Sequence, residues 1–253
     1  MNLPRGYISY SQINTYQTCP RKYFYAYVEE REVPLNEKVL LGIAFHSTLE
    51  DFFKKKIKNK SVKKPSIIKS FKKHFTALQK ENEVIWNGNP GDVESRGIRF
   101  IDYFIMHLAP AINPLMVEKK LQVEMEDLGV TLKGIIDLVE KDYAITDFKT
   151  TASKWSKSRM KRSHLQMVIY RYLFEKSFET PNPELKLKIL YSSNKNKIGH
   201  QEVVLTPDDI NLEKMFEIIQ YVVDNIRKEI FYRNQSYVCN FCDFKPICFS
   251  PNK

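Results

Sequence analysis

The 253-residue sequence predicts an α/β fold in which a small mixed central sheet is flanked by helices. Three changes of pattern along the chain carry that prediction. Through residue 112 apolar side chains recur mainly at helical spacing. Between 113 and 206 the period drops to two, interrupted by one helical stretch. From 207 helical spacing returns and runs into a cysteine-rich tail. With 43% hydrophobic residues and only 8 glycines, the chain is able to bury a core, and residues 1–253 read as one unit. That unit divides into a mainly helical part (1–112), a sheet with its helix (113–206), and a closing helix with the tail (207–253).

The elements follow in order. Ser9 or Ser11 can cap a helix through Ile13 and Tyr16, and Pro20 suits the first turn of a second helix, RKYFYAYVEE. From Gly42, the positions Phe45, Leu49, Phe52 and Phe53 mark an amphipathic helix, and Pro65 opens another. A further helix is expected from Val93 to Leu108, ending before Pro110. MVEKKLQVEM then alternates, Gly129 marks a turn, and VTLKGIIDLVE and YAITDFKTT complete three closely connected strands, as in an antiparallel meander. A basic loop leads to a helix from His164 to Lys176. LKLKILYSS and QEVVLTP read as two more strands, and a long helix is expected from Pro207 to Phe231.

The formal charge of +10 suits a polyanionic partner, because neutralising phosphates releases counterions. Ten lysines and no acid lie between Lys54 and Lys73, an excess equal to that of the whole chain. No apolar run approaches the roughly 20 residues of a membrane helix, and the first residues lack the apolar stretch of a secretory signal. The expectation is a cytoplasmic, reducing location, where four cysteines are poor candidates for two disulfides.

The densest chemistry falls on the second and third strands of the meander. Asp137 ends an apolar run, and Asp147 is followed at i+2 by Lys149, which places both side chains on one strand face. A hairpin joining these strands can bring Asp137 and Asp147 within reach of one divalent ion; oxygen ligands suit magnesium or manganese. Lys149 is then positioned to orient or deprotonate a water. The flanks are apolar, and charges embedded there need a partner or a metal. His46 lies on an otherwise apolar helix side, and Gln166 and Tyr170 share a helix face at i, i+4. Cys239-x2-Cys242-x5-Cys248, with Cys19 far upstream, forms a potential four-thiolate site; spacing alone leaves zinc and iron–sulfur equally open.

Taken in order, SYSQINTYQTCPRKYFYAYV, LGIAFHSTLE, GIIDLVE, ITDFKTT, QMVIYRYLF and CNFCDFKPIC resemble the RecB-like branch of the PD-(D/E)XK nucleases. The likeness is to its iron–sulfur versions, found in AddB-type recombination nucleases and in the CRISPR-adaptation nuclease. The resemblance implies a restriction-endonuclease-like core with a C-terminal Fe–S clasp. It implies Mg2+ or Mn2+ on His46, Asp137, Asp147 and the carbonyl of Phe148, with Lys149 as catalytic lysine. Gln166 and Tyr170 would support the site or contact the DNA strand, and Glu118 stands where relatives often carry a glutamate. Cys19, Cys239, Cys242 and Cys248 would hold a [4Fe–4S] cluster of structural rather than redox use, whose oxidation weakens DNA binding.

The implied activity is a DNA exonuclease acting on single strands or ends, in recombination, repair or phage DNA processing. Alternatives are spacer processing in CRISPR adaptation and a non-catalytic DNA-binding Fe–S protein. Arg21 and the segment containing Lys154, Trp155, Lys157, Arg159, Lys161 and Arg162 are candidate DNA contacts. Trp155 suits either stacking on an unpaired base or anchoring its loop. No helicase motif is present, so unwinding calls for a partner such as a helicase or another recombination or adaptation protein.

Overall fold

The structure, a computed structural model, describes residues 1–180, 182–193 and 197–250. A short strand β1 (Tyr7–Ser9) leads into helices α1 (Tyr10–Thr18) and α2 (Pro20–Tyr23). The two-residue strands β2 (Leu35–Asn36) and β3 (Val84–Ile85) pair with each other. Between and after them run three long helices, α3 (Glu37–Ile57), α4 (Lys64–Glu81) and α5 (Pro90–His107). Then come β4 (Pro114–Met125), β5 (Val130–Glu140), β6 (Ile145–Thr151), α6 (Lys157–Phe178), β7 (Leu185–Ser192) and β8 (Ile198–Val204). Helices α7 (Leu212–Arg227) and α8 (Lys245–Cys248) close the chain.

The expected meander is present. β4 and β5 pair antiparallel along nearly their whole length, turning at Gly129, whose φ of +57° is a left-handed conformation that glycine adopts freely. β6 returns antiparallel to β5, and α6 carries the chain over to β7, parallel to β6, before β8 turns back. The sheet is therefore mixed, in the order β1-β5-β6-β7-β8, with β4 on the other edge of β5. β5 shares one edge between two strands: β1 pairs with Thr131–Lys133, and β6 only with Leu138 and Val139. Between these contacts the ladder opens, and β5 and β6 diverge.

Helices cover both faces of the sheet. On one side α1, α6 and α7 bury Ile13, Met167, Leu173, Met215 and Ile219 against Leu132, Ile136 and Ile145. On the other, α3, α4 and α5 bury Phe45, Phe53, Phe71, Phe100 and Phe104 against Leu138, Phe148 and Leu190. These layers hold the sheet rigid while the gap beside β5 stays lined by polar groups.

Four expected boundaries move. The helix bearing His46 starts at Glu37 because Asn36 caps it, accepting from the Lys38 amide at 2.9 Å. The second helix gives way after Tyr23 to one π turn, Phe24–Val28. The basic segment is largely helical: Ser156 caps α6, accepting from the Arg159 amide at 3.3 Å, and Lys157 already lies in its first turn. The closing helix is shorter than 207–231, spanning Leu212–Arg227 after a separate 3-10 turn and an Asn211 cap. β1, β2 and β3 escape a periodicity reading because two or three residues show no period.

Candidate active site

The carboxylates sit where β5 and β6 part. Asp137 accepts from the Phe148 amide at 2.9 Å, a side-chain bond that bridges the two strands beyond their last ladder pair. His46 on α3 reaches the same carboxylate oxygen, with Nδ1 3.3 Å away. On β4, Glu118 falls opposite Asp137 in register, between the pairs Val117↔Leu138 and Lys119↔Ile136. Its φ of +47° is unusual for a non-glycine residue in a strand, and strained backbone of this kind clusters at functional sites. One ligand atom from each of His46, Glu118 and Asp137 lies within 4.8 Å of the others.

Burial pushes the Glu118 carboxyl up to about 7, and the negative charge of Asp137 adds to this. Two carboxylates and an imidazole held together at such a cost suit a divalent cation, with the imidazole favouring manganese over magnesium.

Asp147 is 1% exposed and stands outside that three-residue group. Its Oδ1 accepts from Lys149 Nζ and from Gln166 Nε2, each at 3.0 Å. Its Oδ2 forms no hydrogen bond but lies 2.9 Å from Lys149 Nζ, in ion-pair contact with the ammonium. A carboxylate buried with one cation and one amide as partners suits a metal or a reacting water as a further one. Burial raises the Asp147 pKa while the Lys149 charge opposes the rise. For Lys149, burial works against the ammonium, but Asp147 and Asp137 outweigh it and the pKa is raised. The lysine is thus a fixed cation.

Gln166 also donates to the Tyr170 hydroxyl at 2.8 Å, so the i, i+4 pair on α6 acts as one support for Asp147. Burial lifts the Tyr170 pKa well above its ordinary value, keeping it a neutral phenol.

Of the residues singled out in the sequence, His46, Asp137, Asp147, Phe148, Lys149, Gln166 and Tyr170 converge here. Glu118, which in the sequence stands only where relatives often carry a glutamate, joins His46 and Asp137 because the β4–β5 register puts it across from Asp137. Tyr10 was missed. Burial raises its phenol, with Lys149 and Asp147 as its charged neighbours. Its only sequence signal was its place between Ser9 and Ser11.

Lys154, Lys157, Arg159, Lys161 and Arg162 are exposed around the start of α6. Trp155 is 9% exposed, packs on Leu187 and Ile189, and has Arg159 4.4 Å from its ring centroid. This placement matches the anchoring role rather than stacking on a base. Arg21 lies elsewhere, against the Phe24 ring and bonded through its amide to the Tyr232 carbonyl at 3.0 Å.

The four cysteines line one cavity of about 50 Å³. The tail is strapped to the first helices by Tyr16 donating to the Ile230 carbonyl at 2.6 Å, Asn234 to the Thr18 carbonyl at 3.0 Å, and a Lys22–Asp243 ion pair at 3.4 Å. Burial raises the Cys242 thiol. Among the described residues the cysteines form no group of three whose sulfurs all lie within 4.8 Å of one another.

A family model for the PD-(D/E)XK nuclease superfamily matches residues 7–249. A solved structure from Eubacterium rectale named "Putative exonuclease" is similar over 98% of this chain and 91% of its own, with 13% identity and a TM-score of 0.64, a likeness of fold. A second, SSO0001, is 14% identical over 88% of this chain and 89% of its own, with a TM-score of 0.38. Among curated proteins there is no match.

Proposed function

The chain belongs to the PD-(D/E)XK nuclease superfamily, and from that premise we propose that it is a metal-dependent DNA exonuclease acting on single strands or DNA ends. One observation carries the reading. A buried carboxylate, Asp147, is clamped between a lysine and a glutamine, beside a second group of His46, Glu118 and Asp137 that fits a divalent cation.

The reaction is hydrolysis: a water oxygen bonds to phosphorus, the P–O ester bond breaks, and the products are a phosphate monoester and a hydroxyl. His46, Glu118, Asp137 and Asp147 would hold Mg2+ or Mn2+, which supplies charge for the phosphate and a more acidic water. Lys149, fixed by Asp147, donates hydrogen bonds toward the water or the phosphate oxygens, and its raised pKa suits a donor better than a base. Gln166 and Tyr170 hold the Asp147 carboxylate in one orientation. The exposed cations at the start of α6 would neutralise the incoming backbone.

The cysteines are read as ligands of a [4Fe–4S] cluster. Four thiols converge on one cavity from both chain ends. Four thiolates suit zinc as well as a cluster, and the choice of a cluster rests on the resemblance of the ordered motifs to the iron–sulfur nucleases.

The test is cleavage of end-labelled single- and double-stranded DNA with Mg2+ or Mn2+. Asp147→Asn and Lys149→Gln are expected to lose about 10²–10³-fold or more, the scale of removing one contact made in the transition state. Cleavage by neither metal, or equal cleavage by wild type and both variants, overturns the reading.

A further inference from the structure

The opening in the ladder beside β5 leads into a cleft of about 620 Å³, walled by β1 and α1 on one side and by α6 on the other, with β4 and β5 as its floor. That size falls within the roughly 300–1,000 Å³ of small-ligand sites. Two of its lining residues belong to the catalytic centre: Gln166 and Tyr170, both on α6, are the groups that hold Asp147. Tyr10 lines it too, with Lys149 and Asp147 as its charged neighbours. Away from this end the cleft is cationic and aromatic. Lys120 is exposed along it, and the Lys133 ammonium sits 4.5 Å from the centroid of the Tyr7 ring, which holds the long side chain in place.

No carboxylate is among the described residues lining this cleft. The contrast is with a larger cavity of about 880 Å³ between β4, α6 and α7, which is lined by Glu124, Glu126, Asp127, Glu175 and Glu217 and would repel a phosphate chain. Among the described residues, the β5 edge between Lys133 and Leu138 has no partner strand on the side away from β4, so the peptide groups of Gly134 and Ile135 add to the polar lining. Aromatic rings, amides and cations without acids are the lining that unpaired nucleotides take, through base contacts on the rings and phosphates on the ammonium groups.

We infer that this cleft is a subsite for an unpaired nucleotide of the substrate strand, next to the reacting phosphate, and that it makes the enzyme selective for single strands and frayed ends. The inference rests on the nuclease reading above and names the substrate that reading would use. Lys120 and Lys133 pair with the phosphates; Tyr7 and Tyr10 flank the base or sugar.

The experiment measures cleavage and binding of a single-stranded oligonucleotide and of a blunt duplex of the same sequence by wild type, Lys120→Glu, Lys133→Gln and Lys120→Arg. Binding is read in chelator, so that no cleavage occurs. Lys120→Glu and Lys133→Gln are expected to weaken single-strand binding about tenfold and to raise KM for the single strand with kcat retained. Duplex binding stays within twofold, and Lys120→Arg restores the wild-type value. Lys120 is exposed, so its variants report on binding rather than folding. Unchanged single-strand affinity in both variants, or equal losses for single strand and duplex, overturns the inference while leaving the nuclease reading intact. Absence of cleavage by wild type sinks the nuclease reading instead, and the binding comparison still decides whether the cleft takes a single strand.

Discussion

The catalytic centre and the cysteine cavity both join distant parts of the chain, yet they are held in opposite ways. Around Asp137 and Asp147 the positioning is done by strands and by buried hydrogen bonds: the Phe148 amide on Asp137, and Gln166 and Lys149 on Asp147. Helical layers cover the sheet on both faces, so these carboxylates have few alternatives. The cysteine tail has little core of its own. Tyr237 and Phe241 are 74% and 76% exposed, and isolated bonds to α1 and α2, with ring contacts such as Tyr25–Phe244 to the π turn after them, tie it down. One region is prearranged by the fold; the other is tied down by scattered bonds and ring contacts to the first helical turns.

The sharpest way to break the comparison is at the clasp. Cys242→Ser is expected to abolish the visible absorption of a cluster, to lower Tm by about 5 °C or more, and to expose amides from 231 onward to hydrogen exchange. The amides of β5 and β6 should keep their protection. Equal loss of protection in sheet and tail would show that the two regions are not independent.

A methyl group probes the catalytic side. A Cβ on Gly134 would lie 2.7 Å from Leu173 Cδ1 and 3.3 Å from Tyr170 Cε1. Gly134→Ala should therefore lower stability by about 1–3 kcal/mol and also reduce kcat by shifting Tyr170 and Gln166. Gly97→Ala is the control in the helical layer: its Cβ would meet Phe71 Cζ at 2.1 Å and Leu41 Cδ1 at 2.7 Å. It should lower Tm and leave kcat of the folded enzyme unchanged. Similar kcat losses in both would argue against a local effect at Tyr170.

The smallest effect is a slope with pH. Glu118 holds its proton up to about 7 in the folded chain, against an ordinary 4.5. Between those values the folded state binds more protons than the unfolded one, so the metal-free protein loses stability as pH rises through this window. Mn2+ takes the ionised carboxylate and should reverse the trend. Thermal melts in chelator and in Mn2+ check this, and Glu118→Gln should make the chelator curve shallower, with the raised Asp147 carboxyl keeping part of the slope. A chelator curve that rises with pH through the window would contradict the burial of Glu118.

Much of the site was legible in the sequence because its signals are local. Asp147 and Lys149 share a strand face by the two-residue period, Gln166 and Tyr170 share a helix face by the four-residue one, and Gly129 marks the turn between β4 and β5. The order of these segments, with the Gly42–His46 helix before them and the cysteines at both ends, was enough to identify the family that the match over residues 7–249 shows. Composition and charge pointed only to a polyanion.

What remained hidden is set by contacts between segments far apart in sequence. Glu118 joins His46 and Asp137 only because β4 aligns with β5 in one register, and a one-residue slip would turn it to the other face. Trp155 reads equally as a stacking aromatic or a loop anchor until β7 and β8 pack over it. The cleft beside Gln166 exists because β1 and β6 share one edge of β5 without meeting. Periodicity reports which face of its own element a residue occupies. Which elements then meet, and at what register, is decided by burying both helical layers against one sheet.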